Sequence, residues 1–343
     1  MHLRRWVSGM LSIVIPVRND IENLLKTLAG LNVYQDDRFE VVIVNDGTVY
    51  PSNKPHSFLK EELLIVDLPQ VKVVNYHPSF GVGHAFDRGV ENCRYENIIL
   101  MGCDVTPLGN WYEQVLEAVT DNPNTLGCAV CVGSETGRKH YGADLLFWVD
   151  KDDLPKDSPL KDSKDYTALF KGKWLPAKEK DTPYEIPCLM GAFYWTSKSY
   201  YNLLGGWDTK IEDKYCGHRV WGHLEPFISL KSWLVGGGCT LYPNIEASHE
   251  FGRINRKTKW SKGARSAEWT WWNALWILET MILDEFQRQS LYDFVKPCLN
   301  FNVARKMIRQ NKDKVIAVRE ANALKFKNTL DIFTEKFDYD FVI

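Results

Sequence analysis

Three apolar runs, each ending abruptly in polar residues, set the pattern of the first hundred residues. They are Ser12-Ile-Val-Ile-Pro16-Val17 before Arg18-Asn19-Asp20, Phe39 to Val44 before Asn45-Asp46-Gly47-Thr48, and Asn97-Ile-Ile-Leu-Met101 before Gly102-Cys103-Asp104. Runs of this kind, β-branched and without alternation, predict strands buried on both faces of a parallel sheet whose carboxyl ends open into a ligand crevice. A further strand is predicted at 71–75. Ile21, Leu24, Leu25 and Leu28 recur at helical spacing behind Asp20, a capping residue type, and 81–93 reads as a helix entered through a glycine-rich turn. Strands alternating with helices imply right-handed crossovers, hence an α/β fold with a mostly parallel central sheet.

Farther on, the pattern predicts a helix at 110–119, a strand at 126–132, a strand-like stretch at 187–195 and a helix at 198–204 stopped by Gly205-Gly206. Between them, 150–181 is rich in lysine and aspartate with little periodicity, which predicts a long solvent-facing excursion or lid. The run WTWWNALWILETMIL at 269–283 is too short to span a bilayer and carries Glu279, so a buried helix is predicted in preference to an interfacial one. The tail after Lys296 has a helical pattern and is basic from Arg305 to Lys327. The expected organisation is a catalytic domain over 1–286 with 150–181 as its insertion, and a helical, basic extension over 287–343.

With 343 residues, 45% of them apolar, the chain can bury a substantial core. A formal charge of -2 excludes a broadly cationic nucleic-acid binder, so any anion site must be a local patch. The eight cysteines are scattered, several within apolar runs, which suits reduced thiols and not a disulfide framework. Cys128 and Cys131 form a C-x-x-C, but no second pair completes a zinc set. The first ten residues lack an apolar stretch of adequate length for a signal peptide or anchor, so a cytoplasmic protein is expected.

Candidate chemistry collects at the strand ends. Asp46 is placed to accept hydrogen bonds from a ribose hydroxyl or a base N–H; a plain turn aspartate before glycine is the competing reading. Gly81-Val-Gly83-His84, with Arg88 one turn into the helix, offers backbone amides and a guanidinium to a diphosphate. Asp104, at the end of a central strand, suits a hard divalent cation bridging phosphate oxygens, and His249 in Ala247-Ser248-His249-Glu250 would favour Mn²⁺ over Mg²⁺. A helix-capping aspartate and a satisfied core histidine are the alternatives for these two. Arg253, Arg256, Lys257, Lys259, Lys262 and Arg265 surround Trp260 in a run without acidic residues. It is placed to close over a diphosphate, to track a nucleic-acid backbone, or only to form a solvated face.

In order and spacing, the set resembles nucleotide-sugar glycosyltransferases of the GT-A fold, and within them the polypeptide N-acetylgalactosaminyltransferase-like branch of the family-2 superfamily. The resemblance covers roughly Leu11 to Phe286. Pro16-Val-Arg18-Asn19, Asn45-Asp46-Gly47 and the segment from Gly81 to Gly89 look like that family's nucleotide-binding elements, and Met101 to Trp111 like its metal-motif strand and following helix. Met190-Gly-Ala-Phe193 with Gly205-Gly-Trp-Asp208 looks like its acceptor-side segment, and Trp221-Gly-His-Leu-Glu225 like its W-G-x-E block. Ser248-His249-Glu250-Phe251 looks like its third metal-ligand region. Three departures stand out. Gly102 replaces the first aspartate of the family's Asp-x-Asp or Asp-x-His motif. Glu225 falls one residue late, leaving His223 and Leu224 as candidates for that position. An insertion, from Glu212 to Val220, precedes Trp221.

These residues together imply transfer of a sugar, with Mn²⁺ or Mg²⁺ assistance, from a nucleotide diphosphate, expected to be UDP, to an acceptor hydroxyl. Metal and cationic groups stabilise the leaving phosphate, and a carboxylate near the anomeric carbon, Glu225 first and Asp208 second, stabilises the sugar or takes the acceptor's proton. Pro16, Arg18, Asn19, Asp46, Gly81, Arg88, Asp104, Trp221 and Arg253 are expected to bind the donor. A cytosolic glycan or other macromolecule is the expected acceptor. Two alternatives stay open: transfer onto hydroxymethylated bases of DNA, suggested by the basic tracts, and a non-catalytic sugar-nucleotide or carbohydrate-binding protein on a degenerate scaffold.

Overall fold

The computed structural model describes residues 10–33, 36–48, 68–148, 169–178, 180–209, 216–250, 267–295 and 301–339. In chain order the elements are β1 (Leu11–Val17), α1 (Ile21–Gly30), β2 (Phe39–Asp46), β3 (Val71–Tyr76), α2 (Val82–Glu91), β4 (Asn97–Met101), β5 (Val105–Pro107), α3 (Trp111–Asp121) and β6 (Leu126–Gly133). Then come β7 (Lys139–His140), β8 (Ala143–Trp148), β9 (Leu169–Trp174), β10 (Tyr184–Glu185), β11 (Phe193–Ser197), α4 (Lys198–Leu204), α5 (Leu224–Val235) and β12 (Cys239–His249). The C-terminal part is helical: α6 (Ala267–Met281), α7 (Glu285–Val295), α8 (Phe301–Gln310), α9 (Lys312–Ala323) and α10 (Leu330–Lys336).

The principal sheet runs β10-β12-β6-β11-β4-β1-β2-β3, with β5 added to β12 and β7 to β6. β1, the central strand of the parallel half, pairs in parallel with β2 and β4, and all seven of its residues are buried. That burial on both faces explains the absence of alternation in its sequence. β11 runs antiparallel to both β4 and β6, so the sheet is parallel on one side of β4 and mixed on the other.

Helices cover both faces. Leu24 and Leu28 of α1 and Trp111 and Val115 of α3 close one side with Ile13, Ile43 and Ile99. Phe86 and Val90 of α2, with α5 and α6, close the other against Val14, Val44 and Leu100. Gly89 is required for this packing, because a Cβ there would lie 2.1 Å from a methyl of Val14. Trp271, Trp272 and Trp276 of α6 are fully buried, which settles the tryptophan-rich helix as core. Phe301, Ala304, Ile308 and Val315 of α8 and α9 pack into that same core. Among the described residues no helix is long and apolar enough to cross a membrane.

Three expectations need correction. Asp20 precedes α1 but makes no side-chain capping bond; its carboxylate accepts from Asn23 Nδ2 at 3.2 Å. The excursion expected at 150–181 is not all loop, since Leu169–Trp174 pairs with β8 and buries Leu169 and Phe170. That strand has little apolar sequence of its own and is formed by long-range pairing. The strand expected at 187–195 begins only at Phe193, because Gly191 (φ 98°) and Ala192 (φ 57°) turn the chain before it. Residues 150–168 of the excursion, Glu212 and Asp213 of the insertion, and Arg253 with the whole basic run at 253–265 lie outside the described residues.

Candidate active site

The carboxyl ends of β1, β2 and β4 open into a cavity of about 930 Å³, whose far wall is built by β9, the Met190–Ala192 turn and the start of α5. At the β1–β2 end, Asp46 is nearly buried, and its carboxylate accepts hydrogen bonds from Ser79 Oγ (2.5 Å), Phe80 N (3.0 Å) and Gly81 N (3.0 Å). Arg18 donates to Ser79 Oγ at 3.0 Å. Asp46 therefore fixes the loop that enters α2, besides lining the cavity with Pro16, Arg18 and Gly81. Gly81 (φ 107°) is in backbone contact with Val220, where an added Cβ would stand 2.2 Å from Val220 N. The glycine thus joins the loop before α2 to the segment carrying Trp221.

Pairing between β5 and β12 assembles the next part. His249 is in register with Val105, the residue after Asp104, and Glu250 N donates to the Asp104 carbonyl at 3.0 Å. The two side chains meet with His249 Nε2 at 3.5 Å from Asp104 Oδ1. Burial works against charge on His249, but the Asp104 carboxylate and the Cys131 thiol, 4.0 Å from Nδ1, outweigh it and raise the imidazole to about 9. Chemically, one carboxylate and one imidazole fit a divalent cation whose other positions are filled by phosphate oxygens. No cluster of three or more histidine, cysteine or acidic side chains suited to a metal occurs among the described residues.

Glu225 stands in the first turn of α5 and also lines the cavity. Its Oε1 accepts from Tyr194 OH at 2.9 Å, and that hydroxyl accepts from Ala192 N at 2.7 Å. Burial raises the carboxyl above the ordinary glutamate range. Tyr194 escapes a reading of the sequence because it sits in the apolar run Phe193-Tyr-Trp195; only the antiparallel direction of β11 carries its hydroxyl to the cavity. His223 is held beside Glu225 by donating from Nε2 to the Leu169 carbonyl at 2.7 Å. Trp221, 45% exposed, forms part of the rim.

Three expected site residues lie elsewhere. Arg88 does not line the cavity; its guanidinium donates to Glu91 (2.7 Å), to His84 and to the Thr209 carbonyl. Asp208 is paired with the buried Lys231 and accepts from Trp276 Nε1 at 3.1 Å, and it does not line the cavity. Asn19 (φ 55°) is a turn residue whose amide donates to Thr48 Oγ1 at 3.2 Å.

An α/β sheet with a cavity at its parallel strand ends, a carboxylate–imidazole pair inside it and a half-buried glutamate also lining it is a GT-A-like arrangement. The model of the family described as glycosyl transferase family 2 matches residues 12–196, more than half of the 343 residues. The chain belongs to that family. Polypeptide N-acetylgalactosaminyltransferase 12 of Mus musculus is 24% identical over 272 residues, 75% of this chain and 43% of that protein. Polypeptide N-acetylgalactosaminyltransferase 8 of Drosophila melanogaster is 22% identical over 265 residues, 75% of this chain and 40% of that protein. The chain thus spans less than half the length of these curated relatives. Among solved structures, GalNAc-T7 crystallised with UDP, GalNAc and Mn²⁺ shares the fold with a TM-score of 0.60 at 19% identity, covering 96% of this chain and 57% of that one.

Proposed function

We propose that this chain transfers a sugar from a UDP-sugar to an acceptor hydroxyl with the help of a divalent cation, Mn²⁺ before Mg²⁺. The observation that carries the reading is the approach of Asp104 and His249 to 3.5 Å within the cavity that also holds Glu225. Family membership and the UDP and Mn²⁺ in the GalNAc-T7 crystal support it. Asp104 and His249 would hold the cation, which when bound neutralises the charge that develops on the leaving diphosphate. Pro16, Arg18, Asp46 and Gly81 would form the nucleoside end and Trp221 the rim.

The acceptor oxygen forms its bond to the anomeric carbon while the bond from that carbon to the diphosphate oxygen breaks, and the electron pair leaves with UDP. Glu225 takes the acceptor's proton on Oε2, since Oε1 is occupied by Tyr194. A glycan or other macromolecule of the cytoplasm is the proposed acceptor, a compartment supported by the free cysteines, seven of them among the described residues.

The test is a thermal-shift panel of UDP, GDP, CDP and their sugars with Mn²⁺, Mg²⁺ or EDTA, on wild type and Asp104→Ala. A rise in melting temperature specific to UDP compounds, dependent on metal and absent from the variant, is expected. No rise with any nucleotide would overturn the transferase reading and favour a non-catalytic carbohydrate-binding protein. Two cations of the basic tail are engaged within the fold: Arg305 lies over Tyr292 and Phe301, and Arg319 pairs with Glu279.

A further inference from the structure

We propose that Tyr194 is a positioning residue for the transfer reaction: its hydroxyl holds Oε1 of Glu225 so that Oε2 is the oxygen presented to the acceptor, and it ties that carboxylate to the strand end that carries Asp104. The proposal rests on the transferase reading above. Tyr194 lies on β11, in register with Leu100 of β4 and Cys128 of β6, and is 1% exposed. A hydroxyl carried that far into a core must find its partners inside the protein. Both of the partners it finds, Ala192 and Glu225, line the cavity, as Tyr194 does itself. Phenylalanine would fill the same core volume, and what the hydroxyl adds is this pair of bonds.

The chemistry of the groups fixes the direction of both bonds. The amide of Ala192 can only donate, and it lies 2.7 Å from the hydroxyl oxygen. The one hydrogen of the hydroxyl is left for Glu225 Oε1 at 2.9 Å, so that oxygen accepts. A proton reaching Glu225 therefore settles on Oε2, and Oε1 keeps its bond to Tyr194 in both states of the carboxyl group. The Ala192 peptide extends the tether, since its carbonyl accepts from Gly102 N at 2.9 Å, two residues before Asp104. The turn itself is held in an unusual shape, with Gly191 at φ 98° and Ala192 at φ 57°, and such departures gather at functional sites. It has little room to move, because a Cβ on Gly191 would stand 2.5 Å from Cys131 Cβ. One short path, from Gly102 through Ala192 and Tyr194 to Glu225, joins the Asp104 side of the cavity to the carboxylate.

The test compares wild type, Y194F, E225Q and the double variant in UDP release from UDP-glucose, UDP-GlcNAc and UDP-GalNAc, with Mn²⁺ present and water as the acceptor. The water oxygen bonds to the anomeric carbon, the bond from that carbon to the diphosphate breaks with its electron pair leaving on UDP, and the proton passes to Oε2. Y194F should lower kcat by about tenfold, the size of one hydrogen bond to a charged group, with KM unchanged. In the E225Q background the same substitution should cost nothing further, because Tyr194 acts through the carboxylate. Losses that multiply in the double variant, or a change confined to KM, overturn the proposal. A second readout needs no turnover: with carbon-13 at the glutamate side-chain carboxyls, the resonance missing from E225Q should titrate about one pH unit higher in Y194F, since the ionised form loses a donor. His249, which lines the same cavity, is present in both proteins of that comparison. An unmoved titration overturns the proposal, and so does a Y194F protein that no longer binds UDP, which would make the tyrosine a structural residue. Wild type binding UDP normally in those cases keeps the transferase reading intact. Failure of UDP to bind wild type removes that reading, and the role of Tyr194 with it.

Discussion

His223 gives the site a titration that can be isolated from the rest of the molecule. Its Nε2 donates to the Leu169 carbonyl, and its Nδ1 is buried without a hydrogen-bond partner among the described residues. Protonation would place a second N–H at Nδ1 with nothing to accept it. Burial, and next the charge of Lys171, lower the imidazole from 6.5 to about 3. Between those values the unfolded chain binds a proton that the native state refuses, so the stability contribution is complete above pH 6.5 and is lost as the pH falls toward 3. From pH 7.5 to 5.0 the loss is 2.303RT for each unit below 6.5, about 2 kcal/mol for this one side chain. His223→Gln keeps a donor for Leu169 and removes the titration. Urea denaturation of both proteins at the two pH values is the assay. Wild type should lose about 2 kcal/mol more than the variant over this interval, with His84, His218, Asp87 and Glu225 common to both and cancelling in the difference. Parallel pH profiles would refute the claim that His223 is held neutral.

Glu225→Gln should leave metal-dependent UDP binding unchanged while lowering the rate of sugar transfer by roughly 10²–10⁴-fold, the usual worth of a positioned acid or base; unchanged transfer kinetics would dismiss it as the proton acceptor. Asp208→Asn leaves Lys231 buried without its counter-charge, so about 3–5 kcal/mol of stability should disappear in denaturant unfolding. A stable Asp208→Asn protein with transfer selectively abolished would restore Asp208 to the catalytic role that its sequence position suggested. Gly102→Ala sets a Cβ 2.8 Å from Asp104 Oδ1, which must swing away, so the Mn²⁺-dependent shift with UDP should shrink in a protein of near-normal melting temperature. A full shift in this variant would mean that the space beside Gly102 is irrelevant to metal binding.

What the sequence disclosed, and what it hid, follows from the range of the interactions involved. β1, β2 and β4 were legible because burial on both faces imposes an unbroken apolar run, and their ends were legible because a run must stop where the crevice begins. Asp46 and Asp104, both of which line the cavity, drew notice for that position, and the order of the whole motif set weighed against plain turn and cap readings. Arg88 and Asp208 look the same in sequence as residues that face a ligand. Whether a charged side chain turns to a cavity or to a buried partner depends on Glu91 and Thr209 in one case and on Lys231 and Trp276 in the other, and no local pattern encodes those meetings. β9 was missed for a related reason: LFKGKW becomes a strand only by pairing with β8, and with it Lys171 and Trp174 enter the cavity wall.

Gly102 joins the two levels. By sequence it is the loss of a metal-motif aspartate, which argues for a weakened or abandoned site. In the fold, the volume beside Gly102 is where the Asp104 carboxylate sits, since even a methyl group on Gly102 would come within 2.8 Å of Oδ1, 3.2 Å of Val105 Cγ2 and 3.3 Å of Ala192 Cβ. From that place Asp104 reaches the imidazole that the β5–β12 pairing brings across from the far end of the chain. The departure from the motif therefore leaves one carboxylate beside His249. A cation held by two side chains depends more heavily on the diphosphate for its remaining ligands, so metal and UDP should bind as a strongly coupled pair, each weak without the other.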